Sequence, residues 1–499
     1  MIDKIEKTID NPMYLQDSSP IKKRQNIASS LGLSMFLGVL LFLGIFCCWQ
    51  SPSMALAATP HFEELLIEDG LKDGYWVEAF DVNNDSRPDL VTSGLAVGEV
   101  AWYENPGNLT QNSTWTKHII IDGCPQGTDG CDDKTTLSQA VAVAHADIDE
   151  DGLIDIAISH DYGGCMFNCG PNDGTISWLK NSGKPDVKWT KYHIGDLVAT
   201  HRLVFGKFTP SEKLELLALP VVGPPGDPCD DPDNKWQSPI PIKLYTRPDG
   251  NLDTVTSWPS ELLDDSYYHI IHGVTLGKFD ANTNSNNDSV LLASQEGISW
   301  FYQGQDKNWY IVPLGIGDLS QTVDPETQGN KHKFTGSGNV DIGKIGTDAY
   351  AYIATLEPFH GNKVAVYTKN VEADLSKMRW KRTLIDVFGY PNQNGEGAGH
   401  HLKTVDFDGD GNDEFIVAQR GPKPFQGIFY YKLVDQEEGL RPSITFERTQ
   451  ISSSSAARIA IEDFDGDGLL DFATTGYYTP GYFLADNPQL LVFLNRIAQ

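Results

Sequence analysis

The chain has 499 residues, with 68 acidic against 38 basic side chains, a formal charge of -30 and 10% aromatic residues. It is too hydrophobic and aromatic to be disordered. It is too acidic for a nucleic-acid binder, whose phosphate contacts need clustered Lys and Arg, but grouped carboxylates suit divalent cations.

The amino terminus reads as an export device. Residues 1–30 are polar and carry the basic cluster Lys22-Lys23-Arg24; Leu31 to Cys48 is almost wholly apolar; Ala55-Leu56-Ala57 is an A-x-A cleavage site. This order predicts a signal peptide over residues 1–57, with an uncleaved signal anchor as the alternative. The basic flank stays inside, so residues 58–499 are expected to be secreted or extracytoplasmic, or membrane-anchored facing outside. The membrane is then met only through that segment. Export permits disulfides. Cys124–Cys131 and Cys165–Cys169 are the local pairings, which leave Cys229 over; connectivity stays open from sequence.

From Phe62 onward one unit recurs: apolar strand, acidic loop, apolar strand, turn, aromatic strand. YWVEAFDVNNDSRPDLVTSG (75–94), AVAVAHADIDEDGLIDIAISH (140–160), HLKTVDFDGDGNDEFIVAQR (401–420) and RIAIEDFDGDGLLDFATTG (458–476) are clear copies. Weaker ones start at His201, His272 and Val340. The loops open at Asp81, Asp147, Thr209, Asp280, Gly346, Asp406 and Asp463, between 57 and 71 residues apart. Strand periodicity at this spacing predicts an all-β, seven-bladed β-propeller of four-stranded antiparallel blades. Fourth strands follow Trp115, Trp189 and Trp380. The last unit has only three strands, and the orphan strand Phe62–Ile67 is expected to complete it, leaving no open edge.

Five loops share oxygen side chains at positions 1, 3, 5 and 9: Asp81, Asn83, Asp85, Asp89; Asp147, Asp149, Asp151, Asp155; Asp280, Asn282, Asn284, Asp288; Asp406, Asp408, Asp410, Glu414; and Asp463, Asp465, Asp467, Asp471. This resembles the start of an EF-hand loop and predicts structural Ca²⁺ in up to five loops. The loops from Thr209 and Gly346 lack the ligands and are expected to be empty. Asp280's loop, with two carboxylates, is expected to bind weakest.

The Asp-x-Asp-x-Asp-Gly-x-x-Asp units flanked by strands resemble the FG-GAP/VCBS repeats of integrin-alpha-type propellers. A closer resemblance is to the propeller of the aldos-2-ulose dehydratase/isomerase family, through Glu357-Pro358-Phe359-His360-Gly361, Gly399-His400-His401, Ala456-Ala457-Arg458-Ile459-Ala460 and Gly481 to Gln489. That family dehydrates an anhydro-sugar ketose and carries cupin domains after its propeller. The resemblance here covers the propeller alone, so no residues are assigned to a second, isomerising step. It transfers no catalytic roles residue by residue.

Topology places the starts of first strands and the ends of second strands at the mouth opposite the acidic loops. His160, His201, His272, Glu357, His360, His400, His401 and Arg420 fall there and are the catalytic candidates. Imidazoles, carboxylates and Arg suit a further divalent or transition metal, or a His base with cations beside an enolate. A single such His more often satisfies a strand hydrogen bond. Carbohydrate or a small sugar is the expected ligand; a protein partner is not legible. Two function classes stand: a carbon–oxygen lyase acting on an anhydro-ketose, and a non-catalytic Ca²⁺-stabilised module for glycan or protein binding. There is no phosphate loop, dinucleotide fingerprint or Gly-x-Ser-x-Gly.

Overall fold

Alternation of apolar and polar residues in short runs sets strands throughout. In the computed structural model they assemble into seven antiparallel sheets. The structure describes residues 60–496 apart from 126–127, 130, 133, 164–168, 225–237, 280–286, 321–332, 370–379 and 438–442. The expected signal segment therefore lies outside the described residues, as do Cys165, Cys229, Asp280, Asn282 and Asn284. Among the described residues the only helix is the 3-10 turn Leu252–Thr254.

Blade one is Trp76–Phe80, Asp89–Ser93, Val100–Glu104 and Thr116–Gly123, with the short parallel strand Thr136–Leu137 added at its edge. Blade two is Val143–Ala146, Asp155–His160, Thr175–Lys180 and Thr190–Asp196. Blade three is Thr200–Gly206, Glu215–Pro220, Ile242–Thr246 and Ser260–Asp264; blade four is Ile271–Gly277, Ser289–Ser294, Gly297–Gln303 and Trp309–Gly315. Blade five is Asn339–Ile345, Asp348–Glu357, Lys363–Lys369 and Trp380–Val387; blade six is Gly399–Val405, Glu414–Gln419, Gly427–Glu437 and Ser443–Ser452. Blade seven is Arg458–Glu462, Asp471–Thr475 and Gln489–Arg496, completed by His61–Asp69. That closing strand pairs from His61 opposite Arg496 to Asp69 opposite Gln489. The expected closure is thus present: His61–Asp69 covers the outer edge of Gln489–Arg496.

Second strands are the driest. Asp155–His160, Glu215–Pro220, Ser289–Ser294 and Glu414–Gln419 are buried at every position. They lie between two neighbours in their own sheet, and their side chains face the adjacent blades. Fourth strands such as Trp380–Val387 alternate between exposed and half-buried residues, as an outer edge requires.

The acidic loops also tie blades together. The carboxylate that opens the second strand accepts two backbone N–H groups in three blades. Asp89 takes Val82 at 3.0 Å and Asn105 at 2.8 Å. Asp155 takes Ile148 at 3.2 Å and Asn181 at 2.7 Å. Asp471 takes Phe464 at 2.9 Å and Asn495 at 2.7 Å. The same asparagines reach the neighbouring blade: Asn105 donates to the Phe464 carbonyl, Asn181 to that of Val82 and Asn495 to that of Phe407. In blade three, where no cation is expected, Glu215 opens the second strand and accepts from Phe208 and Thr209 of its own loop only. Position 9 is therefore a structural hub in its own right. Asp288 sits differently: it precedes its strand and accepts from Lys207 of blade three at 2.8 Å.

Cys124 and Cys131 form a disulfide, and Cys169 is disulfide-bonded as well.

A candidate three-imidazole metal centre

Three inner strands carry the same irregularity at their mouth ends. The pairing skips one residue between Thr200 and Arg202, between Ile271 and Gly273, and between Gly399 and His401. The skipped residues are His201, His272 and His400. A bulge re-aims its side chain out of the ladder, so three blades turn an imidazole toward one point. The fourth imidazole comes from a tight turn after Glu357, where His360 takes a left-handed φ of 40°. A non-glycine residue there is unusual and is held only by its surroundings. Gly338 packs against that turn, where an added Cβ would lie 2.6 Å from the Pro358 carbonyl oxygen. Its lack of a side chain lets its own carbonyl reach His272.

His272, His360 and His400 form one buried group, their ligand atoms within 4.8 Å of one another. His272 Nδ1 donates to the Gly338 carbonyl at 2.9 Å. His360 Nδ1 donates to Glu396 Oε1 at 3.0 Å. His400 Nδ1 donates to the Ala457 carbonyl. A neutral imidazole has one hydrogen, so each ring is left with a lone pair on Nε2. His272 and His360 then face each other Nε2 to Nε2 at 3.1 Å, two acceptors with no hydrogen between them. His400 Nε2 is buried with no partner. Burial, with neighbouring Arg and imidazoles, holds His272 and His400 well below the ordinary imidazole range, and His360 at about 4.

Three converging lone pairs, each backed by an acceptor on the opposite nitrogen, fit a transition metal. Tetrahedral zinc with bonds of about 2.0–2.1 Å sets nitrogens roughly 3.3 Å apart, and catalytic zinc commonly has three protein ligands and one open position. The Glu396–His360 pair supplies the carboxylate behind a ligand that such sites favour. Glu396 also meets Arg420 at 3.2 Å. Burial alone would raise its carboxyl; Arg420 and His360 instead hold it well below the usual carboxylate range. Arg202 meets His272 Nε2 at 3.3 Å.

Against His360 lies a small pocket lined by Tyr75, Tyr162, His201, His360, Tyr477 and Tyr482 among others. Part of its wall comes from the insert between the second and third strands of blade seven, whose hairpin pairs Tyr478–Thr479 with Phe483–Leu484.

The other candidates separate from this group. His201 lies beside it, its ring centroid 5.0 Å from that of His272, but its Nε2 is 2.6 Å from the Tyr75 hydroxyl. Arg420 acts through Glu396. His401 turns away and accepts from the Ile459 N–H at 3.2 Å. His160 bonds Ser177 Oγ at 2.9 Å inside blade two. Glu357 is fully buried among Arg382, Tyr367 and Thr355, at 2.6, 2.9 and 3.0 Å, and belongs to the packing of blade five. Sequence reasoning missed Glu396 and Tyr75. Glu396 stands four residues before His400 in the Gly-rich run Gly395–Gly399, and Tyr75 immediately precedes a first strand.

On the opposite face lie the acidic loops of blades one, two, six and seven. Each is also met by a basic side chain: Arg87 on Asp85, Lys180 on Asp149, Lys432 on Asp408 at 2.8 Å and Arg496 on Asp465 at 2.6 Å. Asp147, Asp149 and Asp155 group in blade two, and Asp406, Asp408 and Glu414 in blade six. Four oxygens there, from Asp147, Asp149, Asp406 and Glu414, are buried without partners.

Comparison with known proteins adds two findings. Residues 173–370 match the family model described as the β-propeller domain of aldos-2-ulose dehydratase. Over 456 residues the chain is 33% identical to aldos-2-ulose dehydratase of Phanerodontia chrysosporium, covering 88% of this chain and 46% of that protein. The chain thus spans about half the length of the curated relative it matches. The family-model match runs through His201, His272 and His360.

Proposed function

We propose that this chain is a metal-dependent carbon–oxygen lyase that removes water from a sugar ketose, with an anhydro-ketose such as 1,5-anhydrofructose as the substrate class. The observation that carries the reading is the convergence of the His272, His360 and His400 Nε2 lone pairs, with His360 lining an aromatic-walled pocket. The similarity to a sugar dehydratase supports it. A bound zinc would supply a Lewis acid for a carbonyl oxygen. Tyr162, Tyr477 and Tyr482 offer ring faces to a sugar, and Arg202, Arg420 and Arg458 make the buried surroundings favourable to developing negative charge.

The loops on the opposite face are proposed to be FG-GAP/VCBS-type Ca²⁺ sites with a structural role. Blades two and six lead, because their buried unpartnered oxygens lack only a cation. Export through residues 1–57 belongs to the same proposal and rests on the signal pattern alone.

The test is turnover. Zinc-loaded protein mixed with 1,5-anhydrofructose is expected to give an ultraviolet-absorbing enone, lost on chelation and restored by zinc. No enone from folded, zinc-loaded protein that binds glycan would replace the lyase with a binding module.

A further inference from the structure

We propose that, of the four acidic loops described, those of blades two and six bind Ca²⁺, while Arg87 and Arg496 take the cation's place in blades one and seven. The inference rests on the reading of such loops as Ca²⁺ sites. All four loops share one turn. The carboxylate at position 1 accepts from the N–H of position 6: Asp81 from Ser86 at 2.7 Å, Asp147 from Gly152 at 3.1 Å, Asp406 from Gly411 at 2.9 Å and Asp463 from Gly468 at 2.9 Å. The loops part at the second oxygen of that carboxylate. In blade one, Asp81 Oδ1 accepts from Asp85 N–H at 3.0 Å. In blade seven, Asp463 Oδ1 accepts from Gly466 and Asp467 at 2.8 and 3.2 Å. In blades two and six, Asp147 Oδ1 and Asp406 Oδ1 are buried without a partner.

The basic side chains sort the same way. Arg496 Nη1 meets Asp465 at 2.6 Å and Asp467 at 3.2 Å, so one guanidinium holds positions 3 and 5 of blade seven. Arg87 lies on Asp85, and its Nε donates to the Asn105 carbonyl at 3.0 Å. A planar guanidinium carries several fixed donors and can meet several oxygens at once. Blades two and six carry lysine instead, at one shared place: Lys180 and Lys432 stand one residue past the Leu179–Ile156 and Tyr431–Phe415 pairs. They reach Asp149 and Asp408, both at position 3. An ammonium is a compact point charge. It leaves a second buried oxygen unmet in each loop, Asp149 Oδ1 and Glu414 Oε1. Glu414 is 0% exposed, so bulk solvent does not meet that oxygen. Ca²⁺ accepts several carboxylate oxygens in flexible geometry and would join the unmet pair with the lysine still in place. In blade seven Asp463, Asp465 and Asp467 gather as well, but Arg496 already meets two of them.

Calorimetric titration of the full chain with Ca²⁺, after stripping with chelator, reads the number bound. Most of the Asp280 loop lies outside the described residues, so each variant is read against wild type. D147N and D406N are each expected to bind one Ca²⁺ fewer, and D463N the same number. R496M is expected to bind one more, because Asp465 and Asp467 are released. An unchanged count in D147N or D406N, a lower count in D463N or no gain in R496M overturns the inference. A second measurement needs no variant: anomalous scattering from wild-type crystals grown in Ca²⁺. Ions are expected in blades two and six and none in blades one and seven. Ions in all four loops overturn this division and leave the calcium reading standing. No ion in any loop brings both down.

Discussion

The two ends of the propeller gather ionisable side chains by opposite means. At the mouth, His272, His360 and His400 are buried, each with Nδ1 committed to an acceptor; Nε2 of His400 has no partner and that of His272 meets only Arg202 and the facing His360 nitrogen. At the acidic loops, carboxylates crowd together but are held by backbone N–H groups and by Lys or Arg. In the first arrangement two lone pairs face each other at 3.1 Å, with Arg202 at the edge of one of them. The second is satisfied by the protein in part, and leaves four buried oxygens of blades two and six without partners. The difference teaches that density of charge is a poorer guide to a ligand than unmet hydrogen bonding. On this account the few imidazoles say more about function than the many carboxylates.

The sharpest way to break the comparison is to remove one imidazole. H360Q is expected to abolish tight zinc binding and enone formation together, read by metal analysis and ultraviolet absorbance, while leaving any Ca²⁺-dependent rise in melting temperature unchanged. Retention of stoichiometric zinc would move the site elsewhere.

At the other end, D471N attacks the clasp. Asp471 gives both oxygens to backbone N–H groups, and an amide can accept at only one. Loss of about 1–3 kcal/mol of stability is expected in denaturant melts, with or without Ca²⁺. An unchanged midpoint would mean that the clasp is dispensable.

The smallest effect sharpens the contrast within the loops. Glu414 has one oxygen bonded to Phe407 N–H and one buried without a partner, and its carboxyl is pushed up to about 8 by burial and by Asp408, Asp410 and Asp406. E414Q is expected to cost little in chelator and to shrink the Ca²⁺-dependent rise in melting temperature. An undiminished rise would exclude blade six as its source.

The fold was largely legible because the blade repeat writes the same strand–loop–strand seven times, and because Phe62–Ile67 had no partner of its own. The site was legible in part. His201, His272 and His400 stand at equivalent strand starts, so topology alone brings them to one mouth. What pattern could not supply was direction. The skipped pairing that turns each ring inward leaves no mark on a periodicity of two. Glu357 shares its end of blade five with His360, yet it faces Arg382 within the sheet. Glu396 reaches His360 from a different loop, 36 residues on, and Tyr75 meets His201 from another blade. Such contacts exist only once the ring has closed.

X-ray absorption at the zinc edge, on zinc-loaded protein after dialysis, tests the central claim most directly. The account predicts one tightly held zinc per chain with three imidazole nitrogens at about 2.0–2.1 Å. A shell of carboxylate oxygens without imidazole, or no retained zinc, would contradict it.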